Sequence, residues 1–153
     1  MGLRAVGVAV SGRGVLFVDD DPENVALAAE IVGEATGRPV AVAGSVQEAL
    51  ERLHEGGWSL VVMDLFLPIG EHGHRVLGPR AARYQSHVEH LGGLLLLDEL
   101  DKITPRPAVV SHTACTDHVL LELFGDRVVR RIPKPAPLDT LLANLLEVLE
   151  EVG

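Results

Sequence analysis

Three aspartates stand side by side at Asp19, Asp20 and Asp21, directly behind the apolar run GVLFV. Asp64 follows WSLVVM, Thr113 closes AVVSHT, and Lys134, one of only two lysines, lies between prolines in RIPKPAP. Like charges repel and carboxylates are costly to desolvate, so adjacent acids behind a buried strand imply a cation. Carboxylates, with carbonyls and waters, are the ligand set of Mg²⁺. A carboxylate beside Mg²⁺ can attack an activated phosphoryl group to form an aspartyl phosphate. The metal and a lysine then neutralise charge on the phosphoryl oxygens, while a hydroxyl donates to one of them.

Each residue also has a plainer reading. Asp21, before Pro22, fits a helix cap, and Asp19 and Asp20 could share that role, although two further carboxylates exceed what one helix start needs. Asp64 alone fits a turn after its strand. Thr113 alone is a strand-end residue, and Lys134 alone a solvated loop lysine. What separates the two readings is whether the fold brings these residues to one place.

The chain order predicts that it does. GVLFV, PVAVAG, WSLVVMD, PAVVSHTA and DRVVRRIPKP read as five short strands. Between and after them PENVALAAEIVGEA, SVQEALERLHEGG, GGLLLLDELDKI, TDHVLLELFG and PLDTLLANLLEVLEEV read as helices. Pro22 suits a first turn, Ser45 and Glu48 have capping-box spacing, and Gly125 is a stop signal. Strict alternation implies a doubly wound (βα)5 α/β fold with a five-stranded parallel sheet and helices on both faces. In such folds the ligand site lies at the carboxyl ends of the strands, where all four acids, Thr113 and Lys134 are expected.

Composition agrees with that class. The 153 residues suit one domain, read here as 14–153 behind a leader at 1–13. Hydrophobic residues are 47% of the chain and aromatics 3%, so Val, Leu, Ala and Ile must build the core, as in buried parallel sheets. A net charge of −9 argues against a nucleic-acid partner. One cysteine, Cys115, excludes an internal disulfide, and no apolar run approaches a membrane span or a signal peptide. A cytoplasmic protein with no membrane association is expected.

In order after successive strands, VDDDP, VVMDLFLP, SHTA and PKP resemble the receiver domain of two-component response regulators, over about residues 14–151. The resemblance implies a flavodoxin-like sheet of order 2-1-3-4-5, with Asp64 as phosphoacceptor. It implies Asp20 as a direct Mg²⁺ ligand, Asp19 as a ligand through water, and the Phe66 carbonyl as a further ligand. It makes Thr113 the hydroxyl that moves toward the phosphoryl group and Lys134 the cation that pairs with it, before a cis Pro135. The implied activity is acceptance of a phosphoryl group from a histidine kinase or histidine phosphotransfer protein, with no enzymatic action on other molecules. The signal would pass to a downstream protein by contact or onward transfer, with partners docking near Arg130, Arg131 and the helix from Pro137. A receiver-like module that works without phosphorylation is the alternative.

Three features depart from the family pattern. Arg131 stands where receivers usually carry an aromatic residue, three positions before the lysine. Phe66 and Cys115 are apolar at positions that flank the path of hydrolytic water, which predicts a long-lived phosphate. Residues 69–91 form an insertion of roughly 20 residues where βα connections usually take about 2–6. That segment holds His72, His74, His87 and His90 with Glu71 and Glu89, which leaves open a metal site, a phosphoryl-accepting histidine, or a partner or lid loop. Its tract RVLGPRAARYQSH, with the only tyrosine, Tyr84, is read as a basic docking surface.

Overall fold

The computed structural model describes residues 12–70, 77–84 and 91–152. The four insertion histidines, His72, His74, His87 and His90, together with Glu71, Glu89 and most of the leader, lie outside these residues.

Five strands form one parallel sheet: β1 (Gly14–Val18), β2 (Val40–Ala43), β3 (Trp58–Met63), β4 (Ala108–Thr113) and β5 (Val128–Pro133). Their order is β2-β1-β3-β4-β5, the doubly wound arrangement expected. The helices are α1 (Pro22–Thr36), α2 (Val46–His54), α3 (Pro79–Ala82), α4 (Gly92–Leu100), α5 (His118–Glu122) and α6 (Leu138–Val152). Alternation along each strand divides the core in two. Leu16, Val18, Val61, Met63 and Val109 face α2, α4 and the α3–α5 region, while Val15, Phe17, Leu60, Val62 and Val110 face α1 and α6. No apolar side chain in β1 is more than 1% exposed, which explains why its sequence is continuously apolar rather than alternating.

The helix signals act as their chemistry requires, with one exception. Ser45 Oγ accepts from the Glu48 N–H at 3.1 Å and starts α2. Gly37, at φ 69°, ends α1 with its N–H on the Gly33 carbonyl at 2.9 Å, a conformation that costs other residues about 1 kcal/mol or more. Asp21 occupies the position before α1, but its side chain does not cap it. Instead its own N–H donates to Asp19 Oδ1 at 2.9 Å. The Asp19 carboxylate thus organises the turn that the sequence pattern assigns to Asp21.

The link from β3 to α4 carries a short helix where the sequence shows no regular period. Ala81 of α3 is fully buried, and Leu77 and Tyr84 pack against the same core cluster. Asp98 of α4, 4% exposed, holds the segment down. Its carboxylate accepts the backbone N–H groups of Arg80 and Ala81 and pairs with Arg80 Nη1 at 2.9 Å. Arg80 Nε donates to the Leu123 carbonyl at 2.7 Å and Nη1 also reaches Asp101 at 2.8 Å. Burial pushes the Arg80 pKa down, and the hydrogen bonds to Asp101 and Asp98 more than offset this and leave it raised. Arg80 is therefore anchored to α4 and to the Leu123 carbonyl. Gly78 permits the approach, since a Cβ there would lie 2.7 Å from the Asp98 side chain.

Asp98→Ala removes a buried ion-pair partner and the cap of α3 together. It is expected to lower stability by about 3 kcal/mol, the lower end for a broken buried pair, because Asp101 still pairs with Arg80. A lower urea midpoint at unchanged slope checks this.

Candidate phosphoryl and metal site

The site is built where the sheet ends. The Asp19 N–H donates to the Ala43 carbonyl at 3.0 Å and the Asp64 N–H to the Val18 carbonyl at 3.2 Å, extending two ladders by one residue. The Lys134 N–H bonds the Thr113 carbonyl at 3.0 Å, doing the same for β4 and β5. Sheet register alone therefore brings Asp19, Asp64, Thr113 and Lys134 to one edge.

Their side chains meet there. Lys134 Nζ lies 2.6 Å from Asp19 Oδ2 and 2.9 Å from Asp64 Oδ2. Asp19 is 2% exposed and Asp64 4%, while Asp20 is exposed at the rim. One carboxylate oxygen from each of Asp19, Asp20 and Asp64 lies within 4.8 Å of the others, a spacing and donor set that fit a small divalent cation. Asp64 Oδ1 accepts the Phe66 N–H at 3.1 Å, which orients the carboxylate. Thr113, 5% exposed, accepts the Cys115 N–H on its Oγ1 at 3.2 Å, so its hydroxyl proton can donate elsewhere. The Lys134–Pro135 peptide is cis.

The electrostatics follow from this packing. Burial opposes the charged form of Lys134, but the hydrogen bonds to Asp19 and Asp64 outweigh it and raise its pKa. Asp20 lacks such a partner: partial burial first, and then the charges of Asp19 and Asp64, raise its pKa above the ordinary carboxylate value. Three carboxylates against one ammonium leave an excess of negative charge that a divalent cation would offset.

Gly93 sets the position of this edge against α4. A Cβ there would lie 2.6 Å from the Asp64 carbonyl oxygen and 2.6 Å from Leu65 Cα. The Gly93 and Gly92 N–H groups donate to the Leu65 and Leu67 carbonyls, at 3.0 and 2.9 Å. The glycine pair that reads in sequence only as a helix start thus also fixes the segment that follows Asp64.

Two hollows flank the site, and neither was legible in the sequence. One, of about 430 Å³, lies beside Lys134 between Asn24, His112 and Leu138. His112 is 7% exposed, and one ring nitrogen, Nδ1, lies 2.8 Å from the Ile132 carbonyl, so it carries the proton. The other, of about 210 Å³, lies behind Thr113 and is lined by Ser111, Cys115, Leu121 and Arg131. Arg131 stays at its rim with Nη2 on the Leu121 carbonyl at 3.1 Å. Arg130, expected on a docking face, is tied to α6 through Asn144 and Glu147, at 3.2 and 2.7 Å. Cys115 is buried at 9% exposure, whereas Phe66 is exposed at 41%.

Because the Asp20 pKa is raised, the stability associated with its protonated form is present below the ordinary carboxylate range and is lost as pH rises through its folded value. Asp20→Asn is therefore expected to raise the thermal midpoint in Mg²⁺-free buffer at neutral pH, by no more than about 2 °C because solvent screens the exposed carboxylate. The gain should shrink on acidification and on addition of Mg²⁺, as followed by circular dichroism.

No family model and no curated protein matches the sequence. Solved structures do. A response regulator receiver domain protein (CheY-like) from Methanospirillum hungatei JF-1 is 21% identical, with TM-score 0.67 over 92% of this chain and 95% of that one. The non-phosphorylated HemR receiver domain from Leptospira biflexa is 23% identical, with TM-score 0.66 over 89% and 93%. The signal receiver domain of a putative Luxo repressor protein from Vibrio parahaemolyticus is 16% identical, with TM-score 0.65 over 92% and 92%. Taken with the sheet order and the strand-end acids, these matches establish that the chain has the fold of the CheY-like response regulator receiver domains.

Proposed function

We propose that the protein is a cytoplasmic response regulator receiver that takes a phosphoryl group onto Asp64 in a Mg²⁺-dependent reaction. The observation that carries this reading is Lys134 Nζ held between Asp19 and Asp64, within a cluster of three carboxylates at the carboxyl edge of a receiver-type sheet. Asp19, Asp20, Asp64 and the Phe66 carbonyl would hold Mg²⁺. When bound, the ion would neutralise the acids and screen charge on the incoming phosphoryl oxygens.

The chain's own groups account for the remaining work. Phe66 N–H and Lys134 orient the Asp64 carboxylate, and an Asp64 oxygen attacks phosphorus as the bond from phosphorus to the donor nitrogen or oxygen breaks. Lys134 then moves its charge from the Asp64 carboxylate to a phosphoryl oxygen, and the Thr113 hydroxyl donates to another. Donors of the right class are a histidine kinase or a histidine phosphotransfer protein. The product signals by contact with a downstream protein or by onward transfer, and the chain acts on no other substrate.

A second reading, an interaction module that works without phosphorylation, is favoured by one observation. Arg131 is bonded to the Leu121 carbonyl at the mouth of the hollow behind Thr113, where an aromatic ring would otherwise read out the hydroxyl's position. Intact mass decides between them. Incubation with acetyl phosphate and Mg²⁺ is expected to add one phosphoryl group to the wild type and none to Asp64→Asn or to a sample in excess chelator. A wild type that stays unlabelled by both acetyl phosphate and a histidine kinase sinks the receiver reading.

Burial of Cys115 and the apolar side chain of Phe66 leave few groups able to orient an attacking water. The aspartyl phosphate is expected to persist beyond minutes after donor removal, by timed intact mass; decay within seconds contradicts this.

A further inference from the structure

A second charged cluster lies at the opposite edge of the sheet. Arg106 stands just ahead of β4 and Arg127 just ahead of β5, so both are at the amino ends of strands whose carboxyl ends carry Thr113 and Lys134. The six residues of β4 separate the two edges by roughly 20 Å at about 3.3 Å per residue. Together with Arg80 of α3, these arginines line a depression of about 360 Å³ whose floor includes Phe124 and Gly125. The acid in its lining is Asp101.

The hydrogen bonds at this place do not close. Asp101 accepts from Arg127 Nε at 2.9 Å on one oxygen and from Arg80 Nη1 at 2.8 Å on the other. Burial pushes its pKa up, but these bonds to Arg80 and Arg127 prevail and hold it below the usual carboxylate value, so it stays ionised. Both its oxygens are engaged, and the donors still exceed the acceptors. Arg127 Nη2 is buried with no hydrogen-bond partner among the described residues. Arg106 is exposed and forms no ion pair with any described residue. A staple that only fastened α3 to α4 would need Arg80, Asp98 and Asp101; it would need neither Arg106 nor an unpaired nitrogen on Arg127. A buried donor left unpaired is destabilising. Local positive excess of this kind, on a chain of net charge −9, is not explained by general surface composition.

We propose that this depression is a binding site for a small phosphate-class anion, separate from the phosphoacceptor edge. Guanidinium groups present planar forks of donors that match phosphate oxygens, and three arginines from separate segments line this depression, Arg106 among them with no ion pair to a described residue. Arg106 supplies the exposed charge that meets the ligand, and Arg80 and Arg127 supply walls already set by Asp101. Because Arg80 belongs to the β3–α4 link, occupancy would tie that link to the start of β5.

The test is an NMR titration of uniformly ¹⁵N-labelled full chain with sodium phosphate at pH 7, in chelator, against sodium chloride at matched ionic strength. Saturable amide shifts centred on Phe124, Gly125 and Arg127 are expected. Asp64→Asn should retain the same affinity, and Arg106→Ala should weaken it about tenfold, the effect of one lost charge-assisted hydrogen bond. Arg106 makes no ion pair within the described fold, so the variant is expected to keep the wild-type spectrum without phosphate. Shifts equal to those in chloride, shifts confined to the Asp19, Asp64 and Lys134 edge, or an unchanged affinity in Arg106→Ala would each overturn the proposal.

Discussion

The ammonium of Lys134 between Asp19 and Asp64 is the interaction on which the carboxyl edge depends. Two carboxylates this deeply buried repel each other and have lost most of their hydration, a penalty of several kcal/mol per ion without a partner. Lys134 can serve both because its backbone continues the β4–β5 pairing past the last strand residue. The sheet thus delivers the cation to a fixed position rather than leaving a flexible side chain to find it. Asp20 stands outside these hydrogen bonds, and partial burial, followed by the charges of Asp19 and Asp64, opposes its ionisation.

Helix α4 transmits a second constraint. Its first turn presses Gly92 and Gly93 against the segment just past β3, close enough that no side chain fits at Gly93. Its last turn carries Asp98 and, just beyond, Asp101, which hold Arg80 and Arg127. One helix of nine residues therefore braces the segment that follows Asp64 at one end and the β3–α4 link and the start of β5 at the other. Leu94 to Leu97 are all fully buried between these ends, so the helix has little freedom to move independently of the core.

Much of this was legible because the signals were local. β1 coincides with GVLFV, and α1 begins at Pro22, since apolar runs and fixed-φ residues act within a few positions. The residues at the strand ends were legible as a group because parallel topology forces every strand to end at the same edge. The role of Asp21 was not. Whether a side chain caps its own helix or yields to a neighbour's carboxylate depends on where Asp19 is held, and that is decided by pairing with Lys134, 115 residues away. Likewise the anchoring of Arg80 was not legible, because a sequence shows its charge but not that Asp98 lies beneath it.

The sequence by itself determined the alternation of strands and helices, the buried palette of Val, Leu, Ala and Ile, and the acids, hydroxyl and lysine that end the strands. These follow from periodicity and from the chemistry of single residues. Only the tertiary structure decided which charges pair, how closely α4 approaches Asp64, and that arginines from three separated segments gather at the far edge. Each of those depends on distances between residues tens of positions apart, which are set when the two halves of the core close on the sheet.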